Sequence, residues 1–209
     1  MYVLLITVLK VYLKKIDEMD KILWKPGTMI YPLPAVMVSC GATPEEYNIL
    51  TISWTGTICT DPPMCYISVR PTRHSYGIIK RNGEYVINLT TKALAFATDW
   101  CGVRSGADHN KFSEMHLTPV KGEIVKAPLI KESPVNIECI VKDIKELGSH
   151  HMFISEVVAV NADKDLFDEK SGVFRLFAAD PICYSHGKYY EIGKFIGKFG
   201  FSVRKKKAK

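Results

Sequence analysis

The segment Asn48–Ser75 constrains the fold more than any other part of the chain, because it places two strand-like runs on either side of a turn that no helix can cross. Ile49–Trp54 and Met64–Arg70 alternate apolar residues with small or hydroxyl-bearing ones, which is typical of half-buried strands. Asp61-Pro62-Pro63 lies between the runs, and its prolines stop any helix. The pattern predicts a β-hairpin-like unit.

Cationic and hydroxyl side chains directly follow the second run. Arg70, Arg73, His74 and Ser75 stand close together in sequence, and Thr72 is placed to cap a short helix that ends at about Arg81. Arginine binds phosphate with two parallel hydrogen bonds, and serine and the free N–H groups of a helix start are further donors. The cluster therefore predicts a site for a phosphate dianion.

Short strands separated by Pro and Gly turns dominate the rest of the chain. The predicted strands are Ala35–Cys40, Ile49–Trp54, Met64–Arg70, Glu84–Thr90, Pro134–Asp143, His151–Val160, Val173–Phe177 and Ile182–Ile192. Helices are predicted at Thr72–Arg81, ending at Asn82-Gly83, and at Thr91–Cys101, with a further turn at Asp108–Met115. Many short strands with few short helices indicate a mainly β protein, built as a closed or split Greek-key-like barrel that leaves few sheet edges.

The charge of the chain is concentrated at its end. The net charge is +6, but seven of the 28 Lys and Arg residues lie in Lys194–Lys209, which contains no acid. The remainder is nearly neutral, and its 47% apolar content indicates a folded domain. We expect a domain over residues 19–201 and a basic tail over residues 202–209. A solvated tail is favoured over one that contacts nucleic acid or an acidic protein.

The N-terminal segment MYVLLITVLKVYLKK is apolar over too few residues to span a bilayer. Its lysines follow the apolar run and no small-residue cleavage site is present, which does not fit a signal peptide. Residues 1–18 are expected to be an optional extension, with Met19 as a candidate start. A cytoplasmic protein without a membrane or nucleic-acid partner is the resulting expectation.

The six cysteines form no C-x-x-C pair, so the sequence encodes no local zinc or iron–sulfur site, and reduced, mostly buried thiols are expected. His150 and His151 are adjacent, and neighbouring side chains on an extended chain point to opposite faces, so no metal site is expected there. No G-x-S-x-G, P-loop or G-x-G-x-x-G motif occurs.

An ordered series of motifs nevertheless resembles one family. The motifs are PGTMIYPLPAVMVSCG, NILTISWTG, the DPP turn, YISVRPTRHSYGIIKRNGEYVINL, DWCGVRSGADHNKF and GKYYEIGKFIG. Together they cover roughly Lys25–Phe201 and resemble the flavin reductase-like, FMN-binding split-barrel family, close to its flavoredoxin branch. The resemblance implies bound FMN, a homodimer, and a small-molecule nicotinamide or a redox protein as partner, with NADH or NADPH as a possible substrate.

The resemblance also implies which residues contact FMN. The phosphate would be held by Arg70, Arg73, His74 and Ser75; the ribityl chain and ring edge by Thr51, Ser53, Trp54 and Thr55; and weaker contacts would come from Asn48 and Asn88. Cys101, Gly102, Ser105, Lys111 and Phe112 would approach the flavin, within one subunit or across a dimer interface. Lys111 is expected near the N1–C2 edge of the ring, where its charge would favour reduced flavin.

Structural alternatives exist for several of these residues. Arg73 and His74 could simply begin a solvated helix, Trp54 could be a core aromatic residue, and Lys111 could lie on a surface loop. Packing alone also accounts for Cys101. No side chain is expected to act as a general acid or base.

Two functional classes remain. One is an NAD(P)H-dependent flavin reductase, and the other is a non-enzymatic electron carrier of the flavoredoxin kind that receives electrons from a protein donor. A nucleic-acid-binding barrel that uses the basic tail is a remoter third.

Overall fold

The computed structural model describes residues 21–203. Residues 21–30 belong to a different unit from residues 31–203 and contain no helix or strand. The predicted extension at residues 1–18 and the basic end of the predicted tail from residue 204 lie outside the described residues. No helix within residues 21–203 is long and apolar enough to cross a membrane.

Short strands make up most of the regular structure in residues 31–203. In chain order they are β1 (Leu33–Pro34), β2 (Val36–Cys40), β3 (Asn48–Ile52), β4 (Thr55–Thr60), β5 (Pro63–Val69), β6 (Glu84–Leu89), β7 (Pro119–Val120), β8 (Leu129–Ile130), β9 (Val135–Leu147), β10 (His150–Ala162), β11 (Ile182–Ser185) and β12 (Lys188–Glu191). The α-helices are α1 (His74–Asn82), α2 (Ala95–Val103) and α3 (Lys111–Glu114). Single 3₁₀ turns occur at Pro44–Glu46, Lys92–Leu94, Lys164–Leu166, Leu176–Ala179 and Phe201–Val203. The mainly β class predicted from the sequence is confirmed.

Seven strands form one antiparallel sheet in the order β3-β2-β6-β9-β10-β5-β4. Its two edge strands, β3 and β4, are consecutive in the chain and are joined only by Ser53 and Trp54. The edges therefore meet at that junction and the sheet curls into a barrel that is split between them. A small sheet, β1-β11-β12, and a β7–β8 pair complete the strands.

β2 and β3 are buried on both faces, which explains why their sequences are largely apolar. Val38 on β2 and Leu50 on β3 point into the barrel, where they join a core that includes Phe153. Met37 and Ile49 point to the outside of the barrel and pack against α2 and the α3 region. The two helices are therefore pressed against the outer face of β2 and β3.

The predicted hairpin within Asn48–Ser75 is wrong, because its two strands do not pair with each other. β3 pairs with β2, whereas β5 pairs with β4 and β10. The true hairpin is β4–β5, and it turns at Asp61-Pro62. Thr55–Thr60, which lies between the two predicted strands, forms an edge strand with a register shift between Thr57 and Cys59.

The C-terminal strand predictions also need correction. Val173–Phe177 is not a strand, because Phe174 makes only an isolated bridge to Phe167 before the Leu176–Ala179 turn begins. The single strand predicted at Ile182–Ile192 is the hairpin β11–β12. It turns at His186-Gly187, both with positive φ (47° and 77°), as a two-residue hairpin loop with strand-compatible twist requires.

The predicted helices are present, but their starts differ. α1 begins at His74 with Arg73 in the capping position and no side-chain cap, so the predicted cap by Thr72 is wrong. Thr91 caps the Lys92–Leu94 turn by accepting a hydrogen bond from the Leu94 N–H, and α2 continues from there. Asn110 caps α3 by accepting from the Ser113 N–H.

A buried carboxylate fixes the loop that precedes β8. Glu138 on β9 is fully buried and accepts hydrogen bonds from the N–H groups of Glu123 (2.9 Å), Ile124 (2.8 Å) and Val125 (2.9 Å). Asn161 Nδ2 donates a fourth at 2.8 Å. Burial raises the pKa of Glu138, but these donors outweigh burial and hold the pKa below its ordinary value.

We expect Glu138→Gln to lower the free energy of unfolding at pH 7 by about 1.5–3 kcal/mol, because it removes charge-assisted hydrogen bonds. A carboxyl with a depressed pKa contributes stability above its unfolded pKa of about 4.3 and loses it as the pH falls through the folded pKa. The difference between variant and wild type should therefore shrink below about pH 4. Urea denaturation at several pH values checks this, with the exposed Glu169→Gln as control; an equal loss at every pH would contradict it.

Candidate functional site

Two cavities meet beside β3, at the split in the barrel. The larger has a volume of about 530 Å³ and the smaller about 230 Å³. Both are lined by Leu50, Thr51, Arg70, Arg73 and Gly102. Because they share these walls, the cavities form one continuous groove of the size used for small-molecule ligands.

The smaller cavity is strongly cationic. Arg70, Arg73, Arg104 and Lys111 line it, and no Asp or Glu stands among the described residues of its wall. The start of α1, with His74 and Ser75, lies in the same wall. Like charges repel one another in a partly dry space, so such a lining is stabilised when an anion enters.

Lys111 is the buried member of this group, with only 3% of its surface exposed. Its Nζ donates to the carbonyl oxygens of Ile49 and Cys101, each at 2.7 Å, so one ammonium joins β3, α2 and α3. Burial lowers the pKa of Lys111, and the charge of Arg73 lowers it further. An ammonium has three hydrogens, which leaves one for a ligand in the cavity.

A buried polar pair supports the floor of the smaller cavity. Asn48 Nδ2 donates to Ser75 Oγ at 2.7 Å, and both side chains are buried. Gly106 lies so close that an added Cβ would stand 2.1 Å from Asn48 Oδ1, so only glycine fits there. Because Ser75 Oγ accepts from Asn48, its own hydroxyl hydrogen can be donated elsewhere.

The larger cavity has an aromatic lining. Trp54 stands at the junction of β3 and β4, and its ring meets that of His150 edge to face with centroids 5.2 Å apart. The β11–β12 hairpin supplies Tyr184 and Tyr189, whose centroids are 5.7 Å apart. Aromatic walls of this kind suit a flat, conjugated ligand.

Two titratable groups of the larger cavity are shifted by their surroundings. Burial lowers the pKa of His150, and the positive charges of Arg70 and Arg73 lower it further, so the imidazole stays neutral at neutral pH. Burial raises the pKa of Tyr189 to about 12, and the neighbouring Asp99 carboxylate contributes to the rise. Tyr189 therefore remains a hydrogen-bond donor.

The structure brings most of the predicted site residues to the groove. Those that line it are Asn48, Thr51, Ser53, Trp54, Arg70, Arg73, His74, Ser75, Cys101, Gly102, Ser105 and Lys111. Thr51 Oγ1 donates to the Thr98 carbonyl, which ties β3 to α2. Burial raises the pKa of the Cys101 thiol to about 11.

Three predicted residues lie elsewhere. Thr55 is buried, and its Oγ1 donates to the Tyr66 carbonyl at 2.6 Å, inside the β4–β5 hairpin. Phe112 packs against Tyr47 in the core outside β3. Asn88 is fully buried in a network of its own, in which Nδ2 donates to Ser39 Oγ at 2.9 Å. These three side chains complete the protein's own packing and hydrogen bonding, and none of them lines either cavity.

The groove also contains residues that the prediction missed. They are Leu50, Ile52, Ser68, Val69, Thr72, Asp99, Val103, Arg104, Gly106, His150, Tyr184, Gly187 and Tyr189. Arg104 and Gly106 belong to the DWCGVRSG motif, and Tyr189 to GKYYEIG, so the motifs contained the signal. No sequence motif near the β11–β12 hairpin predicts that it lies beside β3, because that contact forms only in the folded domain.

The fold and groove define a split-barrel protein with a cationic cavity beside an aromatic one. A model of the flavin reductase like domain matches residues 28–193. The chain belongs to this family.

The chain is also similar to individual proteins and solved structures. An uncharacterized protein of Archaeoglobus fulgidus is 31% identical over 145 residues, covering 69% of this chain and 80% of the relative. Among solved structures, the flavoredoxin of Desulfovibrio vulgaris (Miyazaki F) is 29% identical with a TM-score of 0.81, covering 88% of this chain and 100% of that chain. A flavoredoxin from Methanosarcina acetivorans is 25% identical with a TM-score of 0.78, covering 88% and 99%.

We expect the thiols to divide by burial when the native protein is alkylated at pH 8. Cys40 and Cys101 should resist, because burial raises their pKa values to about 12 and about 11 and leaves little thiolate. Cys59 and Cys183 are partly exposed and should react. Peptide mass spectrometry measures which cysteines are alkylated. In the unfolded control protein all six cysteines should react. Rapid labelling of Cys101 in the native protein would contradict the burial of its thiol.

Proposed function

We propose that the protein binds FMN along the groove, with the phosphate in the smaller cavity and the isoalloxazine ring in the larger one. The observation that carries this proposal is the cationic wall of the smaller cavity, where Arg70, Arg73, Arg104 and Lys111 face no carboxylate within the described residues. A phosphate monoester carries about −1.5 to −2 charges at pH 7, which suits such a wall. The aromatic larger cavity adjoins it and suits the ring.

Each part of the smaller cavity has a role toward the phosphate. Arg70 and Arg73 can each offer a pair of N–H donors, and the backbone N–H groups at the start of α1 add weaker ones. Ser75 offers the hydroxyl hydrogen that its bond with Asn48 leaves unused. Lys111 offers its third hydrogen, and a bound anion would raise its pKa and so favour the charged ammonium.

The residues of the larger cavity position and shield a ring. Trp54 and Tyr189 supply apolar faces, and neutral His150 adds a wall without a competing charge. Lys111 lines the smaller cavity and not the larger one, so we assign its charge to the phosphate end and abandon the expected position at the N1–C2 edge. Bound flavin supplies the electron transfer, and no side chain is needed as a general acid or base.

The reaction that follows from these features is FMN-dependent electron transfer, with NADH or NADPH as electron donor in a flavin reductase. A carrier that takes electrons from a redox protein is the second candidate, and it is favoured by the likeness to two flavoredoxins. A cytoplasmic homodimer, as the family resemblance implies, is part of the same proposal.

We expect Arg73→Ala to weaken FMN binding by about 10- to 150-fold, the equivalent of a charge-assisted contact of about 1.5–3 kcal/mol. Binding of riboflavin, which lacks the phosphate, should be unchanged. Flavin fluorescence titration measures both. Arg81→Ala is the matched control, because Arg81 lies in the last turn of α1, which Arg73 precedes, and pairs with Glu46 at 2.6 Å outside the groove. Equal losses in the two variants would remove Arg73 from the phosphate site.

Anaerobic addition of NADH or NADPH to FMN-loaded protein separates the two candidate functions. A reductase should lose its visible flavin absorption within seconds, and it should turn over when free flavin is added. A carrier should keep its absorption until a reduced redox protein is supplied. If neither NADH or NADPH nor a reduced redox protein removes the flavin absorption, both candidates are contradicted.

A further inference from the structure

The C-terminal segment exposes an unusual amount of apolar surface. Residues 192–203, here called the C-terminal arm, follow β12 and are largely without regular structure. Phe195 is 79% exposed, Ile196 90%, and Phe199 fully exposed. The arm repeats Gly-Lys-Phe at residues 193–195 and 197–199. Contiguous large apolar side chains in water mark an interaction surface.

An apolar groove lies on another part of the same domain. Val160 and Ala162 at the end of β10, with Phe167 and Phe174 beyond it, line a cavity of about 440 Å³. Val160 is 59% exposed, Phe167 43% and Phe174 45%. The two phenylalanine rings lie 5.3 Å apart and their backbones form a bridge, so they make one preformed wall. We call this surface the phenylalanine groove.

The charges around the two surfaces are complementary. The arm contains Lys194 and Lys198 and no acid, whereas residues 163–169 beside the groove contain four acids and a single lysine. Asp168 pairs with Arg175 at 3.5 Å. Within the described residues, no Lys or Arg pairs with Asp163, Asp165 or Glu169. Burial raises the pKa of Asp163 and the charge of Asp165 adds to the rise, which a nearby cation would relieve.

We propose that the C-terminal arm of one copy of the chain lies in the phenylalanine groove of a second copy, and that the second arm does the same in return. The arm's phenylalanines would cover Phe167 and Phe174, and its lysines would face Asp163 and Asp165. This assignment names surfaces that hold the proposed dimer together. It uses no residue of the flavin groove, so it stands or falls independently of flavin binding.

A second copy is favoured over the chain's own arm as the occupant. Both surfaces are exposed in one folded chain, so its own arm does not fill its own groove. A fully extended arm of this length reaches about 40 Å, which is enough to cross to a neighbouring subunit. In a two-fold symmetric dimer, each arm would fill the groove of the other copy, so that neither surface stays uncovered.

Paired variants test the contact through the dimer dissociation constant, measured by sedimentation velocity over a range of concentrations. Phe199→Asp should raise the constant at least tenfold, and so should Phe174→Asp in the groove. Phe96→Asp is the control, since Phe96 is also 75% exposed but lies on α2. Lys194→Glu should weaken association, and adding Asp165→Lys should restore it. A monomeric wild type, or a dissociation constant that arm and groove variants leave unchanged, would overturn the proposal.

Cross-linking identifies the occupant directly. Cys59 and Cys183 are first replaced by Ser, and a chain carrying Phe199→Cys is mixed with one carrying Val160→Cys. Mild oxidation should give a disulfide between the two different chains. If only a chain that carries both new cysteines cross-links, and does so within itself, the arm occupies its own groove and the proposal fails. FMN titration of the same samples reports the flavin proposal separately.

Discussion

A single buried ammonium connects the scaffold of this protein to its site. Lys111 Nζ bonds the carbonyl oxygens of Ile49 and Cys101, so it joins β3 to the end of α2 from its place at the start of α3. A buried charge is costly unless it is paired, and two neutral carbonyls compensate it only in part. The arginines at the same cavity add further positive charge. An anion in the smaller cavity would complete this arrangement, and the proposed flavin phosphate is such an anion.

The split in the barrel places the larger, aromatic cavity next to the cationic one. Because β3 and β4 are consecutive strands at opposite edges of the sheet, the chain must pass Ser53 and Trp54 through the point where the edges meet. That junction supplies one wall of the larger cavity, and the β11–β12 hairpin supplies another with Tyr184 and Tyr189. The cationic and aromatic cavities are thus adjacent as a result of the topology.

Local sequence patterns point to four residues that line the cationic cavity, because these residues lie close together along the chain. Arg70, Arg73, His74 and Ser75 occupy one strand end and one helix start, where local rules apply. Prediction from the sequence failed where the partners of a strand are distant in the chain. β3 and β5 look like a hairpin, yet hydrogen bonds to β2 and β10 determine their places, and nothing local encodes those partners. The family resemblance implies a weak contact between Asn88 and FMN, but the Asn88 amide donates to Met37 and Ser39 on a strand that only folding brings beside it.

The proposed flavin site and the proposed association surfaces lie in separate parts of the molecule. The groove beside β3 concentrates cations and aromatic rings, whereas the exposed arm and the phenylalanine groove offer complementary apolar surfaces with opposite charge. Substitutions in one region should therefore leave the other intact, since distant sites that share no partners behave independently.

The proposed function depends on recognition of a flavin phosphate by the cationic cavity. Calorimetric titration of the wild-type protein with FMN and with riboflavin measures this recognition. We expect FMN to bind at least tenfold more tightly, and the difference to shrink as salt is added, because screening weakens the partly exposed arginine contacts. Equal affinities for FMN and riboflavin at low salt would contradict it.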